Sequence, residues 1–424
     1  MIRFYNAQIM TMAQDCTVQR GELWVDGDRI AYIGETPAEL PAFEREINAQ
    51  GNLLMPSFKN AHTHSAMTFL RSFAEDVPLQ TWLFEKVFPY EDRLTAEDVY
   101  AFVRLAELEY LASGTTAFFD MYFYPESTVQ AAIESGMRAV LCGSINGTAK
   151  DVERLNDQFQ KYRSIHPRIG YRLGFHAEYT SDESLHRAVA ALAQAEKEPV
   201  YTHISETKTE HEECRARHGA SPAQYFESIG LWEYGGGGFH GVWFDADDRA
   251  VYRRNGLFLV SCPCSNAKLA SGIAPLKEAY EEGVNLALGT DGAASNNALD
   301  MFREMYFGTV LQKLRHMDAA ALPAAALLRA ATVGSAQAMG LKDCDTLEEG
   351  KQADLILIDL QAPNLQPPHH IAESLVLSGS GGNVKLTMCA GKILYENGEY
   401  HIGADPAEIL ADTANRIERL TKSE

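Results

Sequence analysis

Eight short apolar runs of β-forming residues, separated by segments of helical period, constrain this chain more than any other feature. The runs are NLLM, TTAFFDM, RAVLCGS, GYRLGFHAE, PVYTHISE, GGFHGVW, LFLVSC and NLALGTD. Between them lie stretches such as DESLHRAVAALAQAEK and AEDVYAFVRLAELEYLASG, the latter ending at Gly114 where a helix C-cap calls for glycine. Alternating strands and helices of this kind are the signature of repeated βα units. Eight of them over roughly 290 residues predict an α/β fold, a (β/α)8 TIM barrel.

Both ends of the chain have a different texture. Residues 1–52 contain IRFYNAQIMTM and GELWVDGDRIAYIG, with Asp26-Gly27-Asp28 marking a hairpin. QADLILIDL and VKLTMCAGKILYENGEY repeat that pattern near the other end, with a turn at Glu396-Asn397-Gly398 and a helical tail from Pro406 to Lys422. These ends predict a small β-sandwich domain built from both termini. The expected division is 1–55 for its first part, 56–345 for the barrel, and 346–424 for its second part with the C-terminal helix.

Hydrophobic residues make up 46% and charged residues 22% of the 424, the composition of a chain that buries a large core. A formal net charge of −21 argues against nucleic acid or an anionic membrane as partner. The start, MIRFYNAQIMTMAQD, lacks a basic region and a long apolar core, and no run is long enough to span a membrane, so a cytoplasmic location is expected. Seven cysteines without framework spacing predict free thiols, with Cys262 and Cys264 as small buried residues beside a strand end. YGGGGFHG has no following Lys-Ser/Thr and reads as a flexible lead-in to the sixth strand rather than a phosphate loop. Adjacent His369 and His370 diverge on an extended segment and are assigned no metal.

In a barrel the C-terminal strand ends carry the chemistry. Here His62 and His64 follow the first strand, His176 ends the fourth, His203 and Glu206 the fifth, His240 the sixth and Asp291 the eighth. Residues i and i+2 of an extended segment point the same way, so His62 and His64 can present two nitrogens to one cation. With His203 and Asp291 the set is three imidazoles and a carboxylate, which suits Zn²⁺ or another borderline divalent ion with a position left for water. Such an ion lowers the pKa of a bound water to roughly 7, which makes hydrolysis the natural reaction. Glu206, three residues after His203, is close enough to shuttle a proton. His240 fits better as a hydrogen-bonding group for the water or the tetrahedral intermediate than as a ligand.

At these residues the chain resembles a known family. MPSFKNAHTHSAMTFLRSFAEDVPLQTWL, HISET, SCPCSNAKLASGIAPL and ALGTDGAASNNALDMF look like the amidohydrolase superfamily, in particular its deaminases of 5′-methylthioadenosine and S-adenosylhomocysteine. The resemblance implies one divalent metal ion, Zn²⁺ or alternatively Fe²⁺, held by His62, His64, His203 and Asp291. It also implies that Glu206 protonates the purine N1, that His240 and Asp291 handle the attacking water, and that ammonia leaves from C6. Glu91 would hold the ribose hydroxyls, as a carboxylate can accept both vicinal protons. His176 and Trp82 would line a purine nucleoside pocket covered by Phe69 to Asp92. Homo-oligomers are common among proteins like this one.

One departure concerns the 5′ end of the substrate. Relatives that accept S-adenosylhomocysteine carry an arginine where Gly143 aligns, with Arg154 as a second basic position. Loss of a guanidinium partner removes roughly 1.5–3 kcal/mol, so S-adenosylhomocysteine is expected to be disfavoured. Other superfamily readings are a deaminase or dechlorinase of guanine, a pterin or a triazine; Glu91 separates them, since only a ribose needs a diol acceptor. A binuclear site needs a lysine at the fourth strand end, where this chain has GFHAEY. A purely binding relative would have no need of Glu206.

Overall fold

A computed structural model describes residues 1–77 and 81–422. Its first five strands are β1 (Ile2–Met10), β2 (Val18–Asp26), β3 (Arg29–Gly34), β4 (Arg45–Asn48) and β5 (Leu53–Pro56). The last four are β14 (Leu355–Ile358), β15 (Val384–Cys389), β16 (Lys392–Glu396) and β17 (Glu399–Tyr400). All nine join one sheet in the order β17-β16-β15-β14-β5-β1-β2-β3, with β4 pairing β1. Ile356 faces Met55 across the antiparallel β14–β5 seam, which joins the two ends of the chain. Phe4, Ile9, Leu23 and Val25 from one end and Leu355, Leu357, Leu386 and Met388 from the other share one buried core. This is the small β domain expected from both termini.

The middle of the chain supplies β6 (Phe58–Thr63), β7 (Thr115–Asp120), β8 (Arg138–Cys142), β9 (Ile169–Ala177), β10 (Val200–Ile204), β11 (Gly236–His240), β12 (Phe258–Ser261) and β13 (Asn285–Leu288). They lie parallel and in sequence order. The ring closes where Asp291 N donates to His62 O at 2.9 Å and Thr290 N to Asn60 Oδ1 at 2.9 Å. Small Ala61, Ala117 and Ala287 and large Phe119, Tyr201 and Phe239 fill its interior, as a packed TIM barrel requires.

Two expectations need correction. NLLM is not the first barrel strand: it is β5 of the nine-stranded sheet, and the barrel begins with the next run, FKNAHT. Polar Lys59 and Asn60 hide that strand in the sequence, yet both are buried. Lys59 Nζ is satisfied by Ser57 Oγ at 2.6 Å and lies 3.8 Å from Asp354 Oδ2. The glycine run is a lead-in only at Gly235: Gly236, Gly237 and Gly238 belong to β11. A Cβ at Gly236 would lie 2.0 Å from Val200 O, and one at Gly237 2.2 Å from Phe258 O, so only glycine threads between β10 and β12.

The two sheets are locked together below the barrel. Arg138, opening β8, donates to both oxygens of Asp354 at 2.9 Å, and all three of Arg138, Lys59 and Asp354 are buried. All seven cysteines are free thiols, and Cys262 and Cys264 are buried as expected. Among the described residues no helix is long and apolar enough to cross a membrane.

Candidate active site

The strand ends bring the imidazoles together. His62, the fifth residue of β6, is fully buried, its ring stacked on Phe239 at 3.8 Å, and neither ring nitrogen has a hydrogen-bond partner. His64 Nδ1 is held by Met121 O at 2.6 Å and His203 Nδ1 by His176 O at 2.7 Å. A carbonyl can only accept, so in both rings Nδ1 keeps its proton and Nε2 keeps a lone pair for a cation. Asp291 Oδ1 stands 3.3 Å from His64 Nε2 and 3.6 Å from His62 Nε2. The ligand atoms of His62, His64 and Asp291 lie within 4.8 Å of one another, as do those of His62, His203 and His240.

This donor set fits a divalent ion with nitrogen and oxygen preference. A buried imidazole with both nitrogens unpartnered is costly unless something ligates it. Burial pushes His62 and His203 well below the ordinary imidazole range, which keeps them in the neutral, ligating form. Burial alone would raise the Asp291 carboxyl, but the imidazoles of His64, His240 and His62 around it outweigh that effect and hold it well below the usual range.

The carboxylate is fixed in direction. Ser265 Oγ and Ser295 Oγ donate to Asp291 Oδ2 at 2.6 and 2.8 Å, and Gly292 N donates to Oδ1 at 2.8 Å. Asp291 and His240 have φ of 60° and 76°, left-handed conformations that are held at functional sites by surrounding contacts.

Glu206 and His240 face each other beside this cluster, with Glu206 Oε2 3.9 Å from His240 Nε2. The amide oxygen of Asn266 meets His240 Nδ1 at 2.9 Å. That bond places the His240 proton on Nδ1 and leaves Nε2 open toward Glu206. Burial raises the Glu206 carboxyl above its ordinary value, which favours the protonated form of an acid.

The chain matches the model of the Amidohydrolase family over residues 53–394. It belongs to the amidohydrolase family. A 5-methylthioadenosine/S-adenosylhomocysteine deaminase of Pelotomaculum thermopropionicum is 38% identical, over 100% of this chain and 99% of the relative. A 5′-deoxyadenosine deaminase of Methanopyrus kandleri is 35% identical over 96% of each. Among solved structures, a zinc-bound adenosine deaminase from Xanthomonas campestris superposes with a TM-score of 0.93 at 31% identity, covering 99% of this chain and 98% of that one.

In this amidohydrolase the residues expected around the substrate fall into two groups. Glu91 ends the short helix Phe88–Glu91, is buried, and accepts from Tyr122 Oη at 2.6 Å. The Tyr122 ring lies 6.3 Å from that of His64, which ties Glu91 to the cluster. His176 stands with its ring 4.7 Å from His203 and Nδ1 3.1 Å from Thr180 Oγ1. Burial, with His64 and His240 nearby, brings His176 down to about 4, so it is neutral at pH 7.

Among the described residues no hydrogen bond, ion pair or ring contact joins Trp82 or Arg154 to the cluster. Trp82 opens the helical turn Trp82–Val87 and is buried within the main apolar core. Arg154 lies in the first turn of the helix Val152–Tyr162, exposed and paired with Asp151 at 3.4 Å. Gly143 needs a different reading from the one its alignment suggested. A Cβ there would lie 2.4 Å from Leu155 Cδ1 and 2.6 Å from Gly174 O, so the position is a packing contact with no room for an arginine. Of the covering segment Phe69 to Asp92, Pro78, Leu79 and Gln80 lie outside the described residues.

Asn266, Ser265 and Ser295 are the residues that sequence reasoning missed. Their signal was present in SNAK and AASNN, polar clusters directly after the seventh and eighth strands.

Proposed function

We propose that the chain is a metal-dependent aminohydrolase of adenosine-type nucleosides, among them 5′-methylthioadenosine, adenosine and 5′-deoxyadenosine. Each would give the inosine analogue and ammonia. The observation that carries this reading is the Glu206–His240 pair beside the cluster of His62, His64, His203 and Asp291. The names of the two curated relatives and of the zinc-bound neighbour support the substrate class.

His62, His64, His203 and Asp291 would hold one divalent ion, with zinc favoured by the zinc-bound neighbour. When bound, such an ion supplies Lewis acidity and lowers the pKa of water. Glu206 holds a proton on its raised carboxyl and donates it to ring N1 as water adds at C6. His240 receives the water proton at Nε2 while Asn266 stabilises the charge at Nδ1. Asp291, pinned by two serines, keeps the cluster in register. The proton held by His240 then passes to the amino group, the C6–N bond breaks as the C6 hydroxyl gives its proton back to the Glu206 carboxylate, and ammonia leaves. Glu91 accepts the ribose 2′ and 3′ hydroxyl protons, and neutral His176 contacts the purine edge. Because position 143 has no room for a side chain, its glycine gives no ground to remove S-adenosylhomocysteine from the substrate set.

Ammonia release by the zinc-loaded protein, measured with the three nucleosides and S-adenosylhomocysteine, tests this. Turnover of at least one, abolished in Glu206→Gln, is the expected result. Silence with all four would overturn the ribose-site reading and redirect the assay to guanine, pterins and triazines.

A further inference from the structure

We infer that Glu210 is a positioning residue for proton transfer: its carboxylate grips the two backbone amides at the bend after β10 and so aims Glu206 at His240. The inference rests on the deaminase reading above. After β10 the chain passes through Ser205 and Glu206 to Thr207, whose side chain caps the helix Lys208–His218 by accepting from Glu210 N at 3.1 Å. In an ordinary capping box the third helical residue reaches back to the amide of the capping residue itself. Glu210 reaches further. Its Oε1 accepts from Ser205 N and its Oε2 from Glu206 N, both at 2.8 Å.

Ser205 is held on every side. Its φ is 48°, in the left-handed region that a serine adopts only when surrounding contacts impose it. Its hydroxyl meets His211 Nδ1 at 3.0 Å and its carbonyl accepts from Trp243 N at 3.0 Å. Ser205, Glu210 and His211 are all buried. Among the described residues no lysine, arginine or histidine lies within salt-bridge distance of Glu210, so its buried carboxylate serves the amides of this bend and no ion pair. A bend gripped in this way fixes the Cα–Cβ direction of Glu206, the residue that faces His240 across 3.9 Å.

Glu210→Gln tests the grip, because an amide offers one acceptor and turns a donor toward the other N–H. Three readouts are taken on the zinc-loaded protein: kcat and KM for 5′-methylthioadenosine, zinc content, and hydrogen exchange of a peptide spanning 204–207. The expected result is a fall in kcat of about 10- to 100-fold, the scale of an ångström of misplacement, with KM within about twofold, full zinc content and faster exchange. Adding Ser205→Gly should recover part of the lost kcat, since glycine adopts the bend without strain. Unchanged kcat in a Glu210→Gln protein whose bend exchanges faster would overturn the inference, as would a loss of kcat that follows the loss of zinc. A wild type inactive on every nucleoside would overturn the substrate reading alone; the grip would then be judged by exchange, and unchanged exchange would overturn it too.

Discussion

Replacing Gly143 with alanine adds one methyl group where the Cβ would lie 2.4 Å from Leu155 Cδ1, 2.6 Å from Gly174 O and 3.0 Å from Gly174 N. Leu155 can rotate away. Gly174 cannot, because it belongs to β9 and is held in register opposite Tyr201 of β10. Forced backbone shifts of this kind cost about 1–3 kcal/mol. Each kcal/mol lowers the melting temperature by about 2–4 °C in domains of 150–250 residues, and somewhat less in a chain of this size. Gly143→Arg should melt lower still. If position 143 instead faced the substrate, arginine would gain a carboxylate partner worth about 1.5–3 kcal/mol, or roughly ten- to a hundredfold in favour of S-adenosylhomocysteine. Thermal melts and ammonia release with S-adenosylhomocysteine and 5′-methylthioadenosine, run on both variants, separate the two accounts. A Gly143→Arg protein that melts with the wild type and favours S-adenosylhomocysteine tenfold more would refute the packing argument.

Two further outcomes follow from the same geometry. Asn266→Ala removes the acceptor that holds His240 Nδ1, and kcat/KM should fall about 10- to 100-fold, as for a hydrogen bond to a group that becomes charged, with zinc content unchanged; a loss below twofold would count against His240 as the proton acceptor. In the β domain, hydrogen bonds from Arg3 at 2.8 and 2.5 Å hold the Glu22 carboxyl down to about 2 against the opposing effect of burial. The contacts of Glu22 with Arg3, Thr36 and Trp24 together contribute on the order of 1–3 kcal/mol, present above pH 4.5 and lost as pH falls from there toward 2, so Glu22→Gln should flatten the acid limb of stability, measured by urea unfolding between pH 2 and 6.

The cluster of His62, His64, His203 and Asp291 was legible because each sits at the end of an apolar run, where a lone polar side chain stands out. H-x-H, HISE and GTDG are local patterns, and the barrel needs only to bring their ends together. The boundary between the two sheets was not legible, because β5 and β6 are consecutive and the polar residues of β6 are buried by contacts far away in sequence, such as Lys59 with Asp354. The start of β11 was set one residue late for a related reason: glycine signals a loop by composition but a strand by close approach, and only the neighbouring backbones of Val200 and Phe258 decide which. Asn266 meets His240 through one hydrogen bond, and Glu210 accepts from two amides of the bend after β10, and no periodicity records either.

Beneath the barrel, Lys59 and Arg138 are made early in synthesis, whereas Asp354, the carboxylate that faces both, is made much later. Until that residue leaves the ribosome, closing the barrel would bury two cations without a counter-charge, at a cost of several kcal/mol each. The nascent chain therefore has reason to keep its barrel open at the base until translation is nearly done, and a chain truncated before Asp354 should be a substrate for chaperones rather than a smaller enzyme.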